Sequence, residues 1–222
     1  MTKLRAVLLD IDGTLIDSND AHAQAWIDAL ARFGHEVPFE RVRALIGKGG
    51  DKLLVETIGV DKDSPQGKQI DEHRARRFKE AYLPHLRAFP KAREVLESMR
   101  EGGLRLVVAT SAKREEMNAL LEICRATDLL YERTSSDDAE RSKPDPDIIE
   151  AALEKAGVGA DAALMLGDTP YDIEAAKKGG VRTVAVRSGG WQDPDLHGAV
   201  AIYDDAADLW ARYAQSPFVK EG

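Results

Sequence analysis

Ala6-Val7-Leu8-Leu9-Asp10-Ile11-Asp12-Gly13-Thr14-Leu15 is the stretch on which the reading of this 222-residue chain turns. Four apolar residues without polar interruption, closed abruptly by an acid, describe a strand buried on both faces of a parallel sheet, with Asp10 at its carboxyl end. In open α/β sheets ligands bind outside that end. Asp10 and Asp12 are two apart, so in extended geometry they face one side and Ile11 the other. Converging carboxylates repel, and a divalent cation, a shared proton or water is needed to hold them together. Gly13 permits a tight turn that brings its N–H near an anion, and Thr14 adds a hydroxyl. Asp-Gly is also among the commonest turn dipeptides, so the motif by itself fits an ordinary loop at a sheet edge equally well.

Beyond Leu15 the apolar period becomes helical. Ala23, Trp26, Ile27, Leu30 and Phe33 follow the cap candidates Asp17, Ser18 and Asn19, and Gly34 supplies a stop. From Phe39 to Tyr82 every signal is helical, punctuated by Gly47, Gly49, Gly50, Gly59 and Pro65. Short helices placed directly after a strand, and closed by Leu83-Pro84 and Phe89-Pro90, predict a helical cap at 17–87 inserted into a core formed by 1–16 and 88–222.

Strand and helix then alternate. Strands are predicted at 104–109, 129–134, 163–166, 183–186 and 200–203, and Pro90 opens the helix that carries Val95, Leu96 and Met99. Further helices carry Met117, Leu120, Leu121 and Cys124, then Ile148, Ile149 and Ala152, then Ile173, Ala175 and Ala176, and last Leu209 and Trp210. Alternation across short loops predicts an α/β fold, a doubly wound and mainly parallel sheet.

Composition narrows the classes of function. A formal charge of -8 argues against a nucleic-acid or membrane surface as partner. The lone cysteine, Cys124, excludes an internal disulfide and suits a reducing compartment. Its spacing from Leu120 and Leu121 makes it a packed helix residue rather than a nucleophile. Neither an export signal nor a bilayer-length apolar run is present in the sequence, so the expected location is cytoplasmic. Oligomeric state is left open.

Parallel topology gathers the carboxyl ends of the strands on one rim. That rim receives Asp10 and Asp12 from the first strand, Thr110 and Ser111 from the second, and Asp168, followed by Asp172, from the fourth. Lys143 lies in a loop just ahead of a helix. Acids, hydroxyls and one amine at a single edge suit an anion held beside a divalent metal.

In DIDGTLIDS, ATSA, SKPDPD and GDTPYD, taken in that order, the chain resembles the haloacid dehalogenase superfamily, in the helical-cap branch of phosphoglycolate phosphatases and β-phosphoglucomutases. The resemblance covers residues 4 to about 186 and implies a Rossmann-like core with a cap. It implies a Mg²⁺-dependent phosphatase for a small phosphorylated metabolite, with Asp10 attacking phosphorus to give an aspartyl phosphate. Asp12 would protonate the leaving alkoxide and later deprotonate water. Asp10, Asp168 and, through its backbone carbonyl, Asp12 would hold the metal, and Asp172 would orient a metal-bound water or Lys143. Lys143 would neutralise the target oxygens, and Thr110 with the Ser111 and Gly13 amides would hold phosphate oxygens.

Plainer roles exist for each. Thr110 could cap the following helix, Lys143 could be a solvated cation, and Asp172 could be a first-turn acid favoured by the helix dipole. In the cap, His22 matches a hinge histidine of related enzymes but also fits a structural role. Lys48 and Lys52, flanking Gly49-Gly50, face the same choice between meeting an anion and lying solvated. A phosphosugar mutase is the alternative activity, yet the cap arginine expected of that group stands here as Gly50. A dehalogenase proper lacks the second acid of the motif, and a silent binding module would not keep all the motif acids.

Overall fold

The structure is a computed structural model and describes residues 3–130 and 132–219. Six strands, β1 (Ala6–Leu9), β2 (Arg105–Ala109), β3 (Glu132–Thr134), β4 (Ala163–Gly167), β5 (Arg182–Val186) and β6 (Ala201–Tyr203), form one sheet in the order β3-β2-β1-β4-β5-β6. Every pairing is parallel. The predicted run 129–134 shortens to β3, and Tyr131 within it lies outside the described residues. The strand order reverses beside β1, where β2 leads one way and β4 the other; a crevice opens at such a point.

Two compact units are present, one made of residues up to Asp17 together with those from Arg87 onward, the other of Ser18–Leu86. In the first, α5 (Ala92–Glu101), α6 (Arg114–Ile123), α7 (Asp147–Ala156), α8 (Pro170–Lys178) and α9 (Ala206–Ala211) accompany the sheet. Leu8, Val107, Ala109, Ile148, Ile149, Ala152, Met165 and Ala176 share one buried cluster, so α7 and α8 seal the sheet with the short side chains that close helix–strand packing favours. Pro90 precedes α5 rather than opening it. Lys91 takes the N-cap place in a left-handed conformation, φ 66°, within a turn closed by the Ala92 N–H donating to the Phe89 carbonyl at 3.2 Å, while the Phe89 N–H donates to the Leu15 carbonyl at 2.9 Å. Beside that bond the Asp17 N–H donates to the Arg87 carbonyl at 3.0 Å, so the outgoing and returning passages of the chain are joined side by side.

The second unit holds α1 (Asn19–Arg32), α2 (Phe39–Arg43), α3 (Gly50–Ile58) and α4 (Pro65–Arg77), followed by a single π turn at Phe78–Tyr82. Ala23, Trp26, Leu30, Val42, Leu53, Leu54 and Ile70 form its core. Asp28 on α1 accepts from Arg77 Nη2 and from the Tyr82 hydroxyl, both at 2.7 Å, which fastens the π turn to α1. Among the described residues no helix is long and apolar enough to cross a membrane.

Cys124 ends α6 and is 3% exposed, and burial pushes its thiol up to about 11. The thiolate is the reactive form, so the folded protein is expected to leave a disulfide reagent such as DTNB unreacted at pH 8 and to react once unfolded in guanidinium. Rapid reaction of the native protein would overturn that burial. Because the shift is upward, stability gained from the neutral thiol is complete below the unfolded value near 9 and is lost as pH rises toward 11.

Candidate active site

One step past the register Leu9↔Val108 and Leu9↔Leu166, Asp10 leaves the sheet where β1, β2 and β4 end, its N–H donating to the Leu166 carbonyl at 3.0 Å. The chain then turns sharply. Gly13 adopts φ 73°, which favours glycine, and its N–H donates to the Ile16 carbonyl at 2.8 Å. That amide is therefore engaged inside its own turn, whereas the sequence reading aimed it at an anion. The Thr14 hydroxyl donates to Asp168 Oδ1 at 3.1 Å and ties the turn to the end of β4. Asp12 is half-buried in the same turn.

Lys143 is the group that links the acids. Its side chain is 1% exposed, and Nζ donates at 2.6 Å both to Asp10 Oδ1 and to Asp172 Oδ1. A solvated loop cation is excluded by this burial. Asp172 combines the two roles that its position suggested. Its Oδ2 accepts from the N–H and hydroxyl of Thr169, at 3.0 and 2.7 Å, in a capping box at the start of α8, while Oδ1 holds Lys143. Gly167 makes room for this: a Cβ there would stand 2.7 Å from the Asp172 side chain.

Burial and the neighbouring Asp172 and Asp12 push the Asp10 carboxyl up to about 8, against the pull of Lys143 downward. Burial disfavours the Lys143 ammonium, but Asp10 and Asp172 outweigh it and hold Lys143 above its ordinary range. Asp10, Asp168 and Asp172, all buried, offer carboxylate oxygens within 4.8 Å of one another. An all-oxygen donor set suits a hard divalent cation such as Mg²⁺. Asp172 already serves Lys143 and Thr169 with its two oxygens.

Thr110 is 1% exposed at the end of β2, its hydroxyl accepting from the Ala112 N–H at 3.1 Å. It does not cap α6, whose N-cap is Lys113. Ser111 is half-buried beside it. In the helical unit His22 is 7% exposed and its ring stacks on Phe78 at 4.0 Å and 8°. Lys48 donates to both Glu56 oxygens, at 2.7 and 2.8 Å, and Lys52 lies half-buried in the first turn of α3. Two contacts escaped the sequence reading: the Thr169 half of the capping box, and the Ser188 hydroxyl donating to the Gly13 carbonyl at 2.7 Å. A signal for Ser188 was available, since it follows β5 at the same carboxyl rim.

The chain is also similar to known proteins over most of its length. A family model described as haloacid dehalogenase-like hydrolase matches residues 7–186. The phosphoglycolate phosphatase of Rhodospirillum rubrum is 31% identical over 223 residues, covering 95% of this chain and 92% of that protein. The crystal structure of a hydrolase from Pseudomonas syringae superposes with a TM-score of 0.87 at 27% identity, covering 95% of this chain and 98% of that one. CbbY from Rhodobacter sphaeroides, solved in complex with phosphate, gives a TM-score of 0.79 at 25% identity, covering 93% and 96% of the two chains.

Proposed function

The chain belongs to the haloacid dehalogenase-like hydrolase family and acts on phosphate esters, and from that premise we propose a Mg²⁺-dependent phosphatase of small phosphorylated metabolites working through an aspartyl phosphate on Asp10. The observation that carries the proposal is the buried junction of Asp10, Lys143 and Asp172 beside Asp168. Lys143 occupies Asp10 Oδ1, which leaves Oδ2 as the attacking oxygen. As Oδ2 bonds to phosphorus, the bond from phosphorus to the leaving alkoxide breaks and Asp12 gives that alkoxide its proton. Asp12 then accepts a proton from the water that attacks the phosphoryl group, which restores the Asp10 carboxylate and frees phosphate. Lys143 stays charged throughout and opposes the negative charge that builds up beside Asp10.

Asp10 and Asp168, with the Asp12 carbonyl that the resemblance assigns, would hold Mg²⁺. When bound, the ion supplies the positive charge that lets a carboxylate approach a phosphate dianion. Thr110 and Ser111 stand at the rim as hydroxyl and amide donors for phosphate oxygens.

The mutase alternative is disfavoured by packing within the helical unit. The arginine expected of that group stands here as Gly50, where a Cβ would meet the Trp26 ring at 3.0 Å, a tight contact. Phosphate release measured over a panel of phosphomonoesters, with 2-phosphoglycolate first because of the Rhodospirillum relative, tests the function. Activity is expected to fall to background with a chelator and to return with excess Mg²⁺. Turnover that persists in the chelator would refute the metal requirement, and conversion of β-glucose 1-phosphate to glucose 6-phosphate without free phosphate would favour the mutase.

A further inference from the structure

The turn after β5 has no part in the reaction above, yet it is built against the Asp168 carboxyl and the Gly13 carbonyl. Arg187–Gly189 form a single 3-10 turn, and Gly190 behind them takes φ 88°. Arg187 fastens the turn from outside, donating to Asp193 Oδ1 and Asp204 Oδ1, each at 2.6 Å. Its other two residues meet the site. Ser188 Oγ donates to the Gly13 carbonyl at 2.7 Å. The place where a Cβ on Gly189 would stand is already filled by Asp168, 1.8 Å from Oδ2 and 2.6 Å from Cγ. Gly189 lies outside the left-handed region, so the lack of a side chain serves close approach and not backbone freedom.

We propose that Ser188-Gly189 is a positioning element of the site, with Gly189 backing the Asp168 carboxylate into its ligand orientation and Ser188 fixing the peptide between Gly13 and Thr14. The Asp168 carboxyl is confined on one side by the Thr14 hydroxyl on Oδ1 and on the other by the Gly189 backbone, and this holds it in one rotamer. The peptide joining Gly13 to Thr14 is likewise held at both ends, its oxygen by Ser188 and its N–H by the Ile11 carbonyl at 3.2 Å. Thr14, whose hydroxyl holds Asp168 Oδ1, is set in place through that peptide. Partners that orient a metal ligand commonly govern affinity as strongly as the ligand's own setting.

The proposal rests on the phosphatase reading, and the test separates the two. Mg²⁺ alone is titrated calorimetrically into metal-free wild type, Gly189→Ala and Ser188→Ala, with thermal melts to verify folding. The added methyl of Gly189→Ala must displace the Asp168 carboxyl, so Mg²⁺ affinity is expected to fall about tenfold or more. Ser188→Ala is expected to lower kcat for p-nitrophenyl phosphate about tenfold with KM unchanged, and Ser188→Thr, which keeps the hydroxyl, to recover most of it. A folded Gly189→Ala that binds Mg²⁺ like the wild type overturns the role of Gly189. An unchanged kcat in Ser188→Ala, or no recovery in Ser188→Thr, overturns that of Ser188. Should Gly189→Ala fail to fold, the Ser188 pair decides alone. Wild type that binds no Mg²⁺ sinks the metal-site reading itself.

Discussion

Asp10→Asn is expected to lose phosphate release by about 10⁴-fold or more while the protein stays folded, because the change removes the attacking atom and little else. The amide has the shape of the carboxyl, and its oxygen still accepts from Lys143 at the place of Oδ1. It also takes one negative charge out of a pocket in which burial, Asp172 and Asp12 all resist ionisation of Asp10. The melting temperature of the metal-free variant should therefore match or exceed that of the wild type. This pairing of lost turnover with kept stability is the signature of a nucleophile in a strained electrostatic setting, since a mere packing residue would lose both. Turnover within tenfold of wild type would falsify the assignment.

Lys143→Ala has the opposite profile, losing turnover and stability together. Its ammonium is the shared counter-charge of Asp10 and Asp172, and all three are buried. Removing one partner of such a cluster costs about 3–5 kcal/mol, because the buried acids left behind lose their shared counter-charge. In a chain of this size that corresponds to a fall in Tm of roughly 10 °C. The variant's pH response has a definite sign. Asp10 stands at about 8 with Lys143 in place, and the substitution removes the group that lowers it. A carboxyl raised in the folded state contributes stability that is complete below its unfolded value and is lost as pH rises through the folded one. Metal-free Lys143→Ala should accordingly melt lower at pH 8 than at pH 5. Adding Asp172→Asn should restore part of the Tm and none of the activity. Melts across that pH range, with parallel assays of phosphate release, check each element, and a Tm equal to wild type at pH 8 would contradict the shared-counter-charge role.

How much of this was legible in the sequence follows from the kind of interaction involved. The strands at Ala6–Leu9 and Ala163–Gly167 could be read because strands buried on both faces must be continuously apolar, and both end in a polar group at the rim. Lys143 was legible as a cation but not as a buried one, since its burial depends on Asp10 and Asp172, which lie 133 and 29 residues away in sequence. The hydrogen bond of the Gly13 amide to Ile16 was hidden for a related reason: Asp-Gly announces a turn without saying which way its amides point. Ser188-Gly189-Gly190 was the least legible of all. On paper it is an ordinary turn, and only the approach of Asp168 from β4 gives the missing side chain a purpose. In the helical unit the sequence displayed His22 and Lys48 as polar groups without showing that Phe78 and Glu56 engage them.

The backbone bond from Asp17 to Arg87, beside that from Phe89 to Leu15, bears on how this architecture could arise. A long excursion whose two ends are already clasped adds little closure entropy to the sheet, because the loop it makes is fastened at its neck. Genetic splicing at that neck could lengthen, trim or exchange the intervening helices without rethreading a single strand.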